Sequence, residues 1–141
     1  MLISFLCWGY FVPKFSKNIN DAIRWLKFGA PINLIILAII IYLGPKAGSI
    51  HWAIFIVSSI FLSLAHPAVG MAFSLSNAGK ALTSFNLLLF IGAFFMQWVM
   101  GLIIDAGMSF NLSEINSFKL AMIFVFITSL FSYFFFIKKV K

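Results

Sequence analysis

The sequence feature that most constrains the fold is a run of 23 residues, Leu82 to Ile104, without a charged side chain. As a helix this run would rise about 35 Å, which is enough to cross a bilayer core of about 30 Å. Similar apolar runs follow one another along the chain, and they are continuous rather than alternating with a period of two. The pattern predicts an all-α, polytopic membrane helix bundle and disfavours a β-barrel.

Composition supports the same class of protein. The chain of 141 residues is 63% hydrophobic and 9% charged, whereas about 25% of the residues in a typical soluble domain are charged. The net charge of +7 comes from basic residues in the gaps between apolar runs. We therefore attribute this charge to membrane topology and expect no nucleic-acid partner. The single cysteine, Cys7, excludes an intrachain disulfide framework.

Polar segments and Gly-Pro breaks divide the chain into one partial span and four complete spans. Residues 1–12 are apolar but too short to cross a bilayer, and we interpret them as the end of a helix whose beginning is missing. Pro31 and Pro67 are expected to distort the helices that contain them. Loops are predicted at 76–80 and 106–117. The complete spans predicted within this single transmembrane domain, residues 1–141, are approximately 22–43, 50–75, 82–104 and 118–137.

The distribution of basic residues predicts the orientation of the spans. Eight lysines and arginines fall on one side of the membrane and two on the other. The richer side contains the C-terminus, which the positive-inside rule places in the cytoplasm. The eight residues are Lys14, Lys17, Arg24, Lys27, Lys80, Lys138, Lys139 and Lys141, and the two are Lys46 and Lys119.

Two of the four spans carry a polar face, and we expect these two to be inner helices of the bundle. The other two, including the one with Asn33, are expected to be peripheral, which gives the order outer, inner, inner, outer. The polar faces either pack against other helices through small residues or line a solute path, and both interpretations remain open. The residues concerned are Ser59, Ser63, His66, Gly70, Asn77, Thr83, Asn86 and Gln97.

His66 is the most informative side chain, because an ionisable residue at this depth in a membrane span commonly has a functional role. Its imidazole could relay protons, or it could be a neutral side chain bonded to a neighbouring serine or amide. His51 is the only other histidine, and the chain has three acidic residues. No catalytic residue set or metal site can be assembled from these residues, so we expect neither enzyme activity nor a bound metal or cofactor.

Residues 66–105 resemble helices ten and eleven of a major facilitator superfamily transporter. The segment GKALTSFNLLLFIGAFFMQWVMGLIID is similar to the Gly-Arg-Ala-x-Thr-Ala-x-Asn pattern that opens helix eleven in one group of bacterial members. Lys80 stands where that pattern has arginine. The resemblance extends loosely over the chain, from the end of helix eight to helix twelve. The residues that match the pattern are Gly79, Ala81, Thr83 and Asn86, with Gly79 and Lys80 as a cytoplasmic loop motif.

The resemblance implies a secondary transporter for an unidentified small solute, in a bacterial inner membrane. Such transporters consist of two six-helix halves, so this chain corresponds to part of one half. We therefore expect a fragment that does not transport alone and whose partners are the lipid bilayer, the solute and a separately encoded N-terminal half. The alternative is a small membrane scaffold or oligomeric accessory protein that assembles through its Ser/Gly helix faces.

Overall fold

Four membrane-length helical segments make up the described part of the protein. The computed structural model describes residues 18–140, and this range contains no strand. The segments long and apolar enough to cross a membrane are Ile19–Lys46, Ser49–Met71, Leu75–Ser109 and Glu114–Lys139. The protein is an all-α integral membrane protein, as predicted. The predicted partial span, residues 1–12, lies outside the described range.

The first span consists of α1, Ile19–Leu43, and a short 3₁₀ turn, Gly44–Lys46. Pro31 lies inside α1. The helix ends at Gly44, whose φ of 53° lies in the left-handed region that glycine adopts without steric cost. The N–H of Gly44 still donates to the carbonyl of Ile40, but the next residue is Pro45, which has no N–H to continue the ladder.

The second span is interrupted in its middle. It contains α2, Ser49–Ser58, a 3₁₀ segment, Ser59–Leu64, and α3, Ala65–Met71. Pro67 has no N–H for the carbonyl of Ser63, four residues earlier, and the Ala65 N–H donates to the carbonyls of Leu62 and Ser63 instead. Pro67 was expected to loosen the helix and to leave a carbonyl without its donor. The helix is irregular there, but it is tighter on the N-terminal side of the proline, and the Ser63 carbonyl still accepts a hydrogen bond.

The third and fourth spans are α4, Leu75–Ser109, and α5, Glu114–Lys139. The loop predicted at 76–80 is wrong, because α4 already begins at Leu75, after a connection of only three residues at 72–74. The carbonyl of Ser74 accepts hydrogen bonds from the N–H groups of Asn77 and Ala78, so these residues form the first helical turn. The loop predicted at 106–117 is likewise reduced to 110–113.

The turn between α4 and α5 is tight because small residues meet there. Ser117 is fully buried, and a Cβ atom added to Gly107 would lie 2.6 Å from its hydroxyl oxygen. At the start of α5, the Ser113 hydroxyl accepts a hydrogen bond of 3.3 Å from the Asn116 N–H. This bond satisfies one of the N–H groups that a helix leaves free at its N-terminus.

Helix α1 lies at the centre of the described bundle. It contacts α2, the 3₁₀ segment, α3 and α5, whereas α4 packs chiefly against α5 and α3. In the most apolar window of each span, 28% of the α1 residues are buried and none of the α4 residues. The predicted order of outer and inner helices is therefore wrong within this part of the chain. Polarity identifies a face that avoids lipid, but α1 is buried through mostly apolar and small residues such as Ala22 and Gly29.

The N-terminal part of α1 and the C-terminal end of α5 meet at one end of the bundle. The Lys27 Nζ donates to the Val140 carbonyl at 2.5 Å, and the Tyr133 hydroxyl donates to the Lys27 carbonyl at 3.0 Å. These contacts bring basic residues that are far apart in the sequence to the same end of the molecule.

Candidate functional site

The most highly connected polar side chain in the described bundle is Asn33 on α1. Its Nδ2 donates to the hydroxyl oxygens of Ser58 and Ser59 at 2.8 and 2.9 Å, and to the Phe55 carbonyl at 3.2 Å. Asn33 is 7% exposed, so these bonds are shielded from solvent. Ser59, a candidate residue for the solute path, is thus bonded to α1. Asn33 was not predicted as a site residue, because it stands alone in an apolar span.

The 3₁₀ segment explains why Ser59 and His66 face different helices. At 100° per residue their side chains would share one face of a regular α-helix. A 3₁₀ helix turns by about 120° per residue, so the six residues Ser59–Leu64 add about 120° of rotation. Ser59 therefore points towards α1, and His66 points towards α4. The predicted polar face of the second span is divided between two neighbouring helices.

His66 and Asn86 form a polar contact between the two spans that were predicted to carry polar faces. The His66 Nε2 lies 2.9 Å from the Asn86 Oδ1. An amide oxygen only accepts hydrogen bonds, so the Nε2 atom carries the proton in this arrangement. The Phe85 ring packs edge-on against the imidazole, with ring centroids 5.1 Å apart. The hypothesis of a histidine bonded to a neighbouring amide agrees with this geometry, and the hypothesis of a proton relay stays a prediction.

The remaining candidate residues make hydrogen bonds within their own helices, pack against a neighbouring side chain or are exposed. The Ser63 hydroxyl donates to the Ile60 carbonyl at 2.7 Å, and the Thr83 hydroxyl donates to the Gly79 carbonyl at 3.0 Å. Gly70 packs against Leu82 at ordinary van der Waals distance. Gln97 is exposed.

Asn77 and Lys80 share a cleft near the start of α4. The Asn77 side chain donates to the Ser74 hydroxyl at 3.3 Å, and both Asn77 and Lys80 line a cleft of about 480 Å³ between α3 and α4. Phe85 lines the same cleft, which connects this polar end to the aromatic neighbour of His66. These residues were predicted as a site and a loop motif, and the structure brings them together on the first turns of a helix.

A second cavity, of about 460 Å³, lies among all four spans. Its polar lining includes Asn33 and four hydroxyl-bearing residues of α5, which fall on one side of that helix. These residues were not predicted as a site, although their spacing of three and four positions places them together. The four residues are Thr128, Ser129, Ser132 and Tyr133. Within residues 18–140, no group of three side chains could hold a metal ion.

Comparisons of the chain with protein-family models, with curated proteins and with solved structures found no match. The resemblance to the major facilitator superfamily therefore rests on the motif residues in the sequence.

Proposed function

We propose that this chain is a C-terminal portion of a secondary transporter of the major facilitator type, which moves a small solute only when further helices complete it. The observation that carries this proposal is the open polar face of α4. Thr83, Asn86 and Gln97 lie within about 60° of one another around the helix, and all three are exposed. Amides that face lipid are unfavourable, so this face requires further helices or a wet cavity.

The His66–Asn86 contact supports a role for this face in moving a solute or a proton. Because the His66 Nε2 donates to Asn86, the Nδ1 atom remains able to accept a hydrogen bond or a proton. Because His66 lies beside the exposed polar face of α4, its Nδ1 atom can accept a hydrogen bond or a proton from a solute bound at that face. In the assembled transporter, this pair would lie between the described bundle and the added helices.

We further propose that the protein resides in a bacterial inner membrane with its C-terminus in the cytoplasm. The contact between Lys27 and Val140 supports this orientation, because it places the basic start of α1 beside Lys138 and Lys139. By the positive-inside rule, such a concentration of positive charge is retained on the cytoplasmic side.

The orientation predicts the behaviour of two reporter fusions. A reporter that is active only in the cytoplasm should be active when fused after Lys141 and inactive when inserted at Ser109. The reason is that the single span α5 separates these two positions. Activity would be measured in whole cells, with protein abundance determined by immunoblotting. An active reporter at Ser109 and an inactive one after Lys141 would contradict the orientation.

The open face of α4 predicts a dependence on upstream helices. Co-expression with a chain that supplies them should increase the abundance of this protein and allow the two to be purified together, whereas the chain alone should show no solute uptake. Replacing Gln97 with leucine should weaken this association, because the Gln97 amide makes no hydrogen bond within the described residues. Each interhelical hydrogen bond contributes about 0.6–2 kcal/mol, so each loss should reduce the association constant about 3- to 30-fold.

A matched control for this experiment is Asn116→Leu, which removes an exposed amide from the first turn of α5, away from the α4 face. This variant should co-purify normally. An abundant, monodisperse chain that needs no partner would contradict the proposal and favour the alternative scaffold. The scaffold has less support, because Ser59 and Ser63 already make hydrogen bonds within the chain, and Gly29 and Gly107 are close to Phe61 and Ser117.

A further inference from the structure

A cleft of about 540 Å³ opens at the end of the bundle opposite Lys27 and Val140. It lies between the last turn of α1, the start of α2 and the first turns of α5. Its walls are mostly apolar and include Ile40, Trp52, Ile115, Phe118 and Met122. The volume is within the range of about 300–1,000 Å³ that is typical of ligand pockets.

Two opposite charges flank the apolar floor of this cleft. Glu114 and Lys119 both line it, both are exposed, and neither side chain forms an ion pair or hydrogen bond within the described residues. They are five positions apart on α5, which separates them by about 140° around the helix axis. Ile115, Phe118 and Met122 fall in the angle between them. The cleft thus presents a negative edge, an apolar floor and a positive edge.

The cleft also has a depth that matches the boundary between lipid headgroups and acyl chains. Met122 lies about 12 Å further along α5 than Glu114, the first residue of the helix. The charges therefore lie at the end of the span that meets the headgroup region, and the apolar floor extends from there towards the hydrocarbon. Trp52 lines the same cleft, and tryptophan is enriched at this boundary in membrane proteins.

We propose that this cleft binds a phospholipid whose headgroup carries a phosphate and a primary ammonium group, as in phosphatidylethanolamine. Lys119 pairs with the phosphate, Glu114 pairs with the ammonium, and one acyl chain lies along Phe118 and Met122. An anionic phospholipid without an amine would satisfy Lys119 but leave Glu114 facing a negative headgroup. A quaternary ammonium has no N–H to donate to a carboxylate. This inference requires only the membrane-spanning bundle and does not depend on the transporter proposal.

The test measures which lipids are extracted with the protein. The full chain, together with any chain that co-purifies, is extracted from membranes in an amphipathic polymer, and the composition of the accompanying lipid is determined. The membranes would contain phosphatidylethanolamine and phosphatidylglycerol. We expect phosphatidylethanolamine to be enriched about two- to fivefold over the bulk membrane, the range for one exposed ion pair. Glu114→Gln should abolish the preference for the amine headgroup, and Lys119→Gln should reduce retention of both lipids.

Matched controls are Asp105→Asn and Lys80→Gln, which make the same charge changes at residues that do not line this cleft. Both should retain the wild-type enrichment. A second measurement is the midpoint temperature of the detergent-solubilised protein after addition of each lipid, which should rise more with phosphatidylethanolamine than with its N-trimethylated analogue. Equal effects of all headgroups, or a preference that survives Glu114→Gln, would overturn the proposal.

Discussion

Replacing Gly29 with alanine should destabilise the bundle by about 2 kcal/mol, despite alanine's higher helix propensity. A Cβ atom at position 29 would overlap the Cβ and Cγ atoms of Phe61 on the 3₁₀ segment. The Phe61 Cβ is fixed to the backbone, so a rotamer change cannot relieve the overlap and α1 must move away. Overpacking costs about 1–3 kcal/mol, and the cost should lie near the upper limit here because the added Cβ would lie far inside van der Waals contact with the Phe61 Cβ. Subtracting the gain of about 1 kcal/mol from replacing glycine in a helix leaves a net loss of about 2 kcal/mol.

The measurement is the midpoint temperature of a fluorescent fusion in detergent, followed by size-exclusion chromatography. Gly101→Ala is the matched control, because a Cβ atom there meets nothing within 4 Å, and it should be neutral or stabilising. The double variant Gly29→Ala/Phe61→Gly should be no less stable than Phe61→Gly alone, since glycine removes the Phe61 Cβ and ring and with them the overlap. A Gly29→Ala variant as stable as Gly101→Ala would contradict the close approach of α1 and the 3₁₀ segment.

Replacing Asn33 with leucine should reduce the stability of the chain by about 1–3 kcal/mol, because leucine has the same branched shape but cannot donate hydrogen bonds. The substitution removes the two Nδ2 hydrogens that three acceptors of the second span share, namely the Ser58 and Ser59 hydroxyls and the Phe55 carbonyl. The hydroxyls of Ser58 and Ser59 also donate to the Phe55 carbonyl at 2.8 Å each. These two groups remain satisfied in the variant, which limits the loss.

Gln97→Leu provides the matched control, since it makes the same type of change at an exposed amide. Its effect on the stability of the chain without a partner should be below about 1 kcal/mol, as is usual for exposed sites. This ranking applies to the chain without a partner. For assembly or transport in a complete parent, the polar faces predict that substitutions at Asn86 and Gln97 are more damaging than one at Asn33. Equal losses from Asn33→Leu and Gln97→Leu would show that the Asn33 bonds do not join the spans.

The helical membrane fold could be predicted because it depends on the length of apolar runs. The four complete spans follow directly from uncharged stretches of at least 18 residues, the length typical of a membrane span, and Pro67 marks the irregular part of the second span. The ends of α4 were predicted less accurately than the existence of the span. Ser76 to Lys80 contain polar residues and a glycine, which resemble a loop in composition. Their backbone groups nevertheless bond within a continuous helix.

The candidate site could be predicted only in part, because periodicity assumes a regular helix. His66 and Asn86 were identified as polar residues of adjacent spans, and the structure places them in contact. The same periodicity placed Ser59 beside His66, and the extra rotation of the 3₁₀ segment separates them. Asn33 was missed because a single amide in an apolar span gives no periodic signal. Its importance depends on Ser58 and Ser59, which are about 25 positions away in the sequence.

The length of α4 constrains how the protein fits its membrane. Lys80 and Asp105 are the charged residues nearest to the two ends of its apolar stretch, and 25 helical steps between them span about 37 Å. A helix of this length would match a hydrocarbon layer of about 30 Å if it were tilted by about 35° from the membrane normal, which is within the observed range of helix tilts. In a thinner bilayer the same helix would need a larger tilt angle from the normal. Because α5 packs against α4, the two helices share any tilt that accommodates this length, and the tilt changes the angle at which the α4 face meets a neighbouring helix.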